Sequence, residues 1–446
     1  MAESHPDVPF RLTEFPPVST AEWEAQIARD LKGADYDRKL VWRTDEGIAV
    51  RPYYRAEDAP RRGPLLVGPR SWRLLRPGEE PALAASAFEI HDSGGTAVQE
   101  VAAVLAQGSD ALAADRPVTA IGLSVGSNHF MEIAKLRATR LLWSHVRAAF
   151  GLDEAPVHLH ARTAGENKTL FDPYVNLLRV TTEALSAVLG GCDSLTITPC
   201  GFDPRLADNV HHILREESHL DKVADPGAGS YYIEALTDRL AIEAWHLFQR
   251  IEAAGGWAAY TASGTLDAAL ARSRAAKEEA VATRHRVLVG TNNYPDVGER
   301  RLTEAADVPG GWRLASAFER IRLRTERHAA ATGRLPRVLL LERGDLRMRK
   351  ARAAFCLNLF GCAGFEVVRS ETLVPADLVI LCSADPEYTA MARDICPHVT
   401  VPVLVAGNPR DQVEALRASG VADFVHVSSN AIETLTTWQA RLGIRD

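Results

Sequence analysis

Residues 339–355, LLLERGDLRMRKARAAF, decide the fold of the C-terminal part of this chain. The apolar run that ends at Leu341 has the length of a buried strand, Gly344 and Asp345 interrupt it, and helical spacing resumes from Ala351. A buried strand followed by a loop and a helix is typical of an open parallel sheet, where the loop after the first strand is a favoured place for a cofactor. Here the loop carries no histidine, cysteine or glycine-rich turn, but three basic side chains: Arg347, Arg349 and Lys350.

The alternation of strand and helix recurs over residues 336–446, which predicts a small doubly wound domain. Five apolar runs of strand length are separated by helices of roughly 10–15 residues. The predicted strands are 337–341, 365–368, 377–382, 402–407 and 423–427.

Residues 63–300 also alternate short apolar strands with longer helices, the pattern of a parallel α/β domain. Strands are predicted at 71–75, 85–90, 118–124, 157–161, 193–198 and 286–290, and helices at 96–107, 129–149, 173–189, 204–217 and 235–253. Polar loops after the strands, such as RTAGENKT (162–169), resemble the working face of a (β/α)8 barrel. Because such a barrel has eight strands and this segment offers about six, we expect a truncated TIM-type barrel.

Residues 1–62 are predicted to form an arm. A capping box at Ser19–Glu22 starts a helix whose apolar stripe is Trp23, Ile27 and Leu31. A hairpin is predicted from 39–42 and 48–54. One helix and one hairpin bury little surface, so the arm should pack on something larger, in this chain or in a partner. Two connecting segments complete the predicted organisation: a linker at 57–64 and a charged connector at 301–335.

The composition limits the class of protein. The chain has 446 residues, 46% of them hydrophobic and 24% charged, and a net charge of −7, which argues against nucleic acid as the main partner. No signal peptide is visible, and no apolar run approaches the roughly 20 residues that cross a bilayer, so we expect a cytoplasmic protein without a membrane segment. The six cysteines lack metal-type spacing and are predicted to be reduced core residues.

Several polar groups are candidates for a site, each with a structural alternative. His158 and His160 share one face of a strand, as metal ligands can, but no third ligand has convincing spacing, so a structural role is favoured. A second set, His211, His212 and His219, is expected to be solvated or part of the core. The loop DPGAGSYY (225–232) fits a phosphate contact and a turn that packs two tyrosines equally well.

A basic cluster at the start of the predicted helix could bind an anion, although a solvated or partner-facing surface is favoured. Its members are Arg343, Arg347, Arg349, Lys350 and Arg352. The sequence contains no G-x-G-x-x-G, Walker or G-x-S-x-G motif, which weakens the case for a dinucleotide site, an NTP site or a hydrolase.

Long strings of this sequence resemble the methylmalonyl-CoA mutase family, and its small subunits more than its large ones. They cover nearly the whole chain: FPPVSTAEWEAQIARDLKGADYDRKLVW (15–42), NHFMEIAKLRATRLLW (128–143), RTAGENKTLFDPYVNLLRVTTEALSAVLGGCDSL (162–195), EESHLDKVADPGAGSYYIE (216–234) and VADFVHVSSNAIETLTTWQARLGI (421–444). The resemblance implies an acyl-CoA barrel followed by a flavodoxin-like cobalamin domain. It also implies a heterodimer whose large subunit performs the radical isomerisation.

The sequence departs from the family at the cobalamin loop. The family motif there is D-x-H-x-x-G, whose histidine coordinates cobalt and whose glycine lets the nucleotide tail pass. The matching residues here begin with Asp345, but Arg347 stands at the histidine and Lys350 at the glycine. A guanidinium stays protonated and offers no lone pair to a metal. We therefore expect no cobalamin bound in the family's manner, and no metal site.

A second departure concerns catalysis. The family's catalytic subunits carry S-L-H-T-N where this chain has SLTIT (194–198), so that Thr196 replaces a histidine that assists at the substrate carbonyl. A hydroxyl without a base is a poor general acid near neutral pH. In addition, the stretch between Arg76 and Phe88 is too short for the missing βα units.

These departures lead to one expectation and two alternatives. The chain is expected to be the non-catalytic small subunit of a heterodimeric methylmalonyl-CoA mutase, with no catalytic residue of its own. Adenosylcobalamin and the acyl-CoA substrate would be held by the large subunit, which the arm would contact through Trp23, Ile27 and Leu31. The alternatives are an active acyl-CoA mutase with atypical cobalamin binding and a stand-alone anion- or nucleotide-binding module.

Overall fold

The computed structural model describes residues 16–60, 65, 71–153, 156–301 and 311–445. The chain divides into two compact units, Met1–Tyr54 and Arg55–Asp446. Parts of five predicted segments lie outside the described residues: 1–15 of the arm, 61–64 of the linker, 66–70 and 154–155 of the α/β segment, 302–310 of the connector and 446 of the C-terminal domain.

The first unit contains two helices and a short hairpin: α1 (Thr20–Leu31), α2 (Tyr36–Leu40), β1 (Trp42–Arg43) and β2 (Ala49–Val50). The predicted capping box is confirmed, since the Ser19 N–H donates to the Glu22 carboxylate at 2.9 Å and the Glu22 N–H donates to Ser19 Oγ at 3.3 Å. The hairpin is shorter than predicted because Asp35 caps a helical turn that takes up residues 36–40. No residue of α1 is buried.

The second unit begins with a five-stranded sheet in which every pair of strands is parallel. Its strands are β3 (Arg73–Leu75), β4 (Ala85–Ser86), β5 (Ala120–Val125), β6 (His158–Thr163) and β7 (Ser194–Thr196). The helices of this part are α3 (Phe88–Asp92), α4 (Ala97–Ala113), α5 (His129–Ala149), α6 (Pro173–Leu189), α7 (Pro204–His212), α8 (Tyr231–Ala253), α9 (Gly256–Ala262) and α10 (Thr265–Ala282). The last two were not predicted. None of the helices in the described ranges has the length and apolarity of a membrane span.

In the strand order β3-β7-β6-β5-β4, the first strand of the sheet pairs with the last. In a (β/α)8 barrel, consecutive strands are neighbours and the last strand pairs with the first. Here β4 to β7 are consecutive neighbours, and β7 pairs with β3, the first strand of the sheet. The sheet is open between β3 and β4, which only residues 76–84 connect. Within the described residues the barrel is therefore not closed.

The strand predicted at 85–90 is shorter than expected, and the one predicted at 286–290 is wrong. The first is confirmed only as β4, because the ladder ends where the Ala87 N–H donates to Gly122 O at 3.0 Å and α3 takes up residues 88–90. Residues 286–290 form a turn, with a single isolated bridge at Val289. The reason is the buried Asn292 amide, whose oxygen accepts from the Leu288 N–H at 2.7 Å and whose nitrogen donates to the carbonyl of residue 286 at 2.8 Å.

The helix predicted at 204–217 is also shorter as an α-helix. It ends at His212 and continues as one π-helical turn over Ile213–Glu217. The charged connector contains one helix, α11 (Ser316–Thr332).

The C-terminal sheet contains all five strands predicted from apolar runs, with shifted ends. They are β8 (Arg337–Glu342), β9 (Glu366–Ser370), β10 (Leu378–Cys382), β11 (Val403–Ala406) and β12 (Val421–Val425). Helices α12 (Leu346–Gly361), α13 (Tyr388–Ile395), α14 (Val413–Ala418) and α15 (Ala431–Arg441) alternate with them. All pairs are parallel, and numbering the strands of this sheet one to five along the chain gives the order 2-1-3-4-5. Separate apolar cores cover its two faces.

Three buried lysines at the carboxyl end of the first sheet hold its loops. Lys168 Nζ lies 2.7 Å and 2.8 Å from the two carboxylate oxygens of Glu183, and both side chains are fully buried. Lys135 lies between Glu100, at 2.8 Å, and Glu132, at 2.6 Å. A third pair joins Lys277 to Glu166 at 3.0 Å. The polar loop 162–169 is thus tied to α6 and α10 by buried charges.

Replacing Lys168 by Met tests this role. The Glu183 carboxylate would lose its charge partner in a place where burial already raises the pKa of Glu183. We expect the free energy of unfolding to fall by about 3–5 kcal/mol, measured by urea denaturation. Arg205→Met is the matched control, since Arg205 and its partner Asp203 are exposed and should contribute little. A fall in stability no larger than that of the control would contradict the role assigned to Lys168.

Candidate functional site

His158 and His160 lie on one face of the first sheet, which is called the inner face because a closed barrel would enclose it. His158 Nε2 lies 2.7 Å and His160 Nδ1 lies 2.9 Å from the same hydroxyl, Ser194 Oγ. Burial lowers the pKa of His160 to about 4, so this ring is neutral at ordinary pH. The described residues contain no group of three or more side chains suited to a metal ion. The two rings are therefore arranged around a hydroxyl.

Thr196 lies on the same face, at the end of β7. Its register partners are Leu75 on β3 and Arg162 on β6, and it is fully buried. Its Oγ1 has no hydrogen-bond partner among the described residues. Within the described part of the chain, the Thr196 hydroxyl is therefore not hydrogen-bonded to a base.

The segment that connects β3 to β4 covers part of this inner face. A Cβ added to Gly122 on β5 would lie 2.5 Å from Leu83 Cδ1 and 3.0 Å from Phe88 Cζ, so only glycine admits these two side chains here. The Arg162 guanidinium stacks on the Phe88 ring at 4.1 Å and donates to Asp92 at 2.8 Å. The chain thus packs its own side chains on the surface that a closed barrel would enclose.

The remaining histidines do not form a cluster. His211 is buried, accepts a hydrogen bond from Trp72 Nε1 at 3.0 Å, and has its pKa lowered to about 4 by burial. His212 and His219 are exposed. His211 also lines a cavity of about 230 Å³ at the carboxyl ends of β3 and β7.

The contacts of the loop DPGAGSYY favour a packing turn over a phosphate site. Asp225 forms a buried ion pair with Arg137, and Ser230 caps α8. The Tyr232 ring packs against Phe130, with 5.1 Å between ring centroids.

The basic cluster near residue 347 is mostly neutralised by acids of the same domain. Its three paired members form ion pairs of 2.8–3.1 Å: Arg343 with Asp394, Arg349 with Glu371 and Arg352 with Asp385. Arg347 and Lys350 are exposed on the first turns of α12 and form no hydrogen bond or ion pair with the described residues. Asp345 is the N-cap of this helix, accepting from the Met348 N–H at 2.8 Å.

Glu387, which the sequence analysis missed, lies between this loop and the loop after β10. Its carboxylate accepts the N–H of Asp345 at 3.1 Å and the N–H of Ala384 at 3.2 Å. It also accepts from Ser383 Oγ. The hydrogen bonds from Ser383, Asp345 and Ala384 lower the pKa of Glu387. Position 387 comes soon after an apolar strand, but its partner loop lies 42 residues earlier in the chain, so no local pattern predicts the contact.

The environment of Thr196 leads to a stability prediction. Thr196→Val removes a buried hydroxyl that has no partner and keeps the β-branched shape, so we expect the free energy of unfolding to rise by about 1 kcal/mol. Thr163→Val is the matched control, since Thr163 is buried on β6 and its Oγ1 accepts the Thr198 N–H at 2.9 Å. That variant should lose about 1 kcal/mol in the same denaturant titration. Equal losses in the two variants would show that the Thr196 hydroxyl has a partner.

Comparisons of the chain with a family model and with known proteins all indicate the same family. The family model described as methylmalonyl-CoA mutase matches residues 80–335. A methylmalonyl-CoA mutase small subunit from Porphyromonas gingivalis is 30% identical, covering 97% of this chain and 98% of its own. One from Streptomyces virginiae is 33% identical over 81% of this chain and 64% of its own. A probable small subunit from Mycobacterium tuberculosis is 33% identical over 79% of this chain and 63% of its own.

The alignment with the Porphyromonas protein also indicates an internal gap. It runs over 614 positions and includes nearly all of both proteins, whereas this chain has 446 residues. Well over a hundred of its positions therefore have no counterpart here. The sheet is open between β3 and β4, which is where absent βα units of a barrel would belong. By its family match, its relatives and its strand order, the chain belongs to the methylmalonyl-CoA mutase family.

Proposed function

We propose that this chain is the non-catalytic small subunit of a heterodimeric, adenosylcobalamin-dependent methylmalonyl-CoA mutase. The large subunit would interconvert methylmalonyl-CoA and succinyl-CoA and would hold both the cofactor and the substrate. The observation that carries the proposal is chemical. Thr196, at the family's catalytic histidine, is buried with no base in contact.

The strand orders support the fold part of the proposal. The order 2-1-3-4-5 is that of flavodoxin-like domains, the type implied by the resemblance to cobalamin-binding subunits. In the first sheet, the pairing of β3 with β7 is the contact between first and last strands that a (β/α)8 barrel makes on closing. We therefore interpret the two parts as a shortened barrel and a degenerate cobalamin-type domain.

The residues of the degenerate loop do not fit cobalamin. Arg347 stands at the position of the cobalt ligand and has no lone pair to offer. Lys350 adds a long cationic side chain where the family has glycine. In addition, the Glu387 carboxylate occupies the backbone donors of Asp345 and Ala384 at the same loop. We therefore assign no step of the reaction to this domain.

The first compact unit supports a role in assembly. Helix α1 has no buried residue, Trp23 is 45% exposed, and Ile27 and Leu31 are half-buried. A helix of this length gains most of its stability from packing its apolar face. We propose that this face packs on the large subunit. All six cysteines are unpaired, which suits the reducing cytoplasm in which we place the complex.

The contacts weigh against both alternatives. An active mutase with atypical cobalamin binding needs a substitute for the missing acid, and none contacts Thr196. A stand-alone anion-binding module is less favoured because three of the five cations of the basic cluster, Arg343, Arg349 and Arg352, are paired with acids. Arg347 and Lys350 remain exposed on the helix surface.

The function is tested by titrating the purified chain with adenosylcobalamin, alone and after co-expression with the large subunit. Alone, the chain should give no spectral change and no turnover, because its loop has no imidazole for cobalt. The co-purified complex should bind the cofactor and isomerise methylmalonyl-CoA. A spectrum of histidine-ligated cobalt from the chain alone, or turnover without a partner, would refute the proposal.

The role of the arm is tested by Trp23→Ala in the co-expressed complex. Loss of a large aromatic anchor should weaken binding to the large subunit by about 2 kcal/mol, measured by a titration of the labelled subunit. Arg29→Ala is the control on the same helix, because Arg29 bonds Gln26 on the polar face. Equal affinities for the Trp23→Ala and unchanged chains would exclude the apolar face of α1 from the interface.

A further inference from the structure

The loops after β8 and β10 meet at the topological switch point of the C-terminal sheet. Strand β8 lies between β9 and β10, so the connections from β8 and β10 leave on opposite sides. In open parallel sheets, ligands bind in the crevice outside the carboxyl ends of the strands at this point. Here Ser383 Oγ lies 2.8 Å from Arg343 O, so the two loops are in direct contact across the crevice.

Three hydrogen-bond donors converge in this crevice. They are the N–H of Asp345, the N–H of Ala384 and the hydroxyl of Ser383, and all three are directed at the Glu387 carboxylate. Gly344 makes room for the carboxylate. Its φ is +76°, and a Cβ there would overlap Glu387 Oε2, so the contact depends on glycine.

We infer that this crevice is an anion-binding site whose resident anion is the chain's own Glu387 carboxylate. Glu387 acts as an internal plug in the place where a doubly wound sheet takes a phosphate-bearing ligand. The inference concerns the C-terminal sheet alone and does not depend on the proposed function.

The charged side chains around the crevice are consistent with Glu387 as the resident anion. Arg343, Arg349 and Arg352 already have acidic partners, so they add little net field. Removing the Glu387 carboxylate would leave the N–H groups of Asp345 and Ala384 without this acceptor, while the Ser383 hydroxyl could donate its single proton to Arg343 O. It would also raise the local positive charge by one unit. A phosphate group carries several acceptor oxygens and a negative charge, so it matches what the vacated site would offer.

The test is a calorimetric titration of the full chain with inorganic phosphate. We expect Glu387→Ala to bind phosphate at one site per chain, roughly tenfold more tightly than the unchanged chain, since one charge-assisted hydrogen bond accounts for such a factor. Glu371→Ala is the matched control. It removes an acid of the same loop region, the partner of Arg349, without exposing the backbone donors.

The outcomes separate the plug from two simpler explanations. If Glu371→Ala gains phosphate affinity as large as that of Glu387→Ala, net charge alone is responsible and the inference fails. If Glu387→Ala does not fold, Glu387→Gln keeps the side chain's shape but not its charge, and should show an intermediate gain. A folded Gln variant that binds phosphate no better than the unchanged chain would overturn the inference.

Discussion

Three lysines are buried at the carboxyl end of the first sheet, and each needs a carboxylate partner. The surrounding helices and loops must therefore bring a glutamate to each lysine. An unpaired charge in such a place costs several kcal/mol. Lys168 takes its partner from α6, Lys135 takes one of its partners from α4, and Lys277 on α10 reaches the loop after β6. The acids and bases therefore fix four helices, α4, α5, α6 and α10, and the loop after β6 around the strand ends. The polar loop that resembles a working face is, in this chain, part of the framework.

The open sheet places a second constraint on the molecule. An open sheet exposes a face that a closed barrel would enclose. Leu83 and Phe88 cover part of that face at Gly122, and Arg162 stacks on Phe88. In the second sheet, the Glu387 carboxylate likewise accepts hydrogen bonds from the N–H groups that face the crevice. In both sheets, side chains of the chain itself lie where a ligand of the fold would bind.

The sequence predicts most of the second sheet because its strands are apolar on both faces. Leu339 and Leu340 point to opposite sides and are both fully buried, so a short apolar run suffices to identify the strand. The prediction of a strand at 286–290 is wrong because the Asn292 side chain hydrogen-bonds to backbone groups there and stabilises a turn. The apolar content of the segment gives no sign of this turn. Of the candidate site, Thr196, Arg347 and Lys350 follow from motif positions. Glu387 does not, because its contact with Asp345 forms only when two loops that are 42 residues apart in the chain meet.

In this fold, the residues that stabilise the loops differ from the residues at the positions of the family's catalytic histidine and cobalt ligand. Substitutions at those two positions can therefore leave the stability of the fold intact. The charge pairs that hold the loops, such as Lys168 with Glu183, involve neither Thr196 nor Arg347. Thr196 and Arg347 match the positions of the histidine and the cobalt ligand, and neither side chain has a hydrogen bond or ion pair within the described residues. A change of either side chain therefore removes no hydrogen bond or ion pair of the framework. The fold can thus carry a threonine and an arginine at these two positions while its buried charge pairs stay in place.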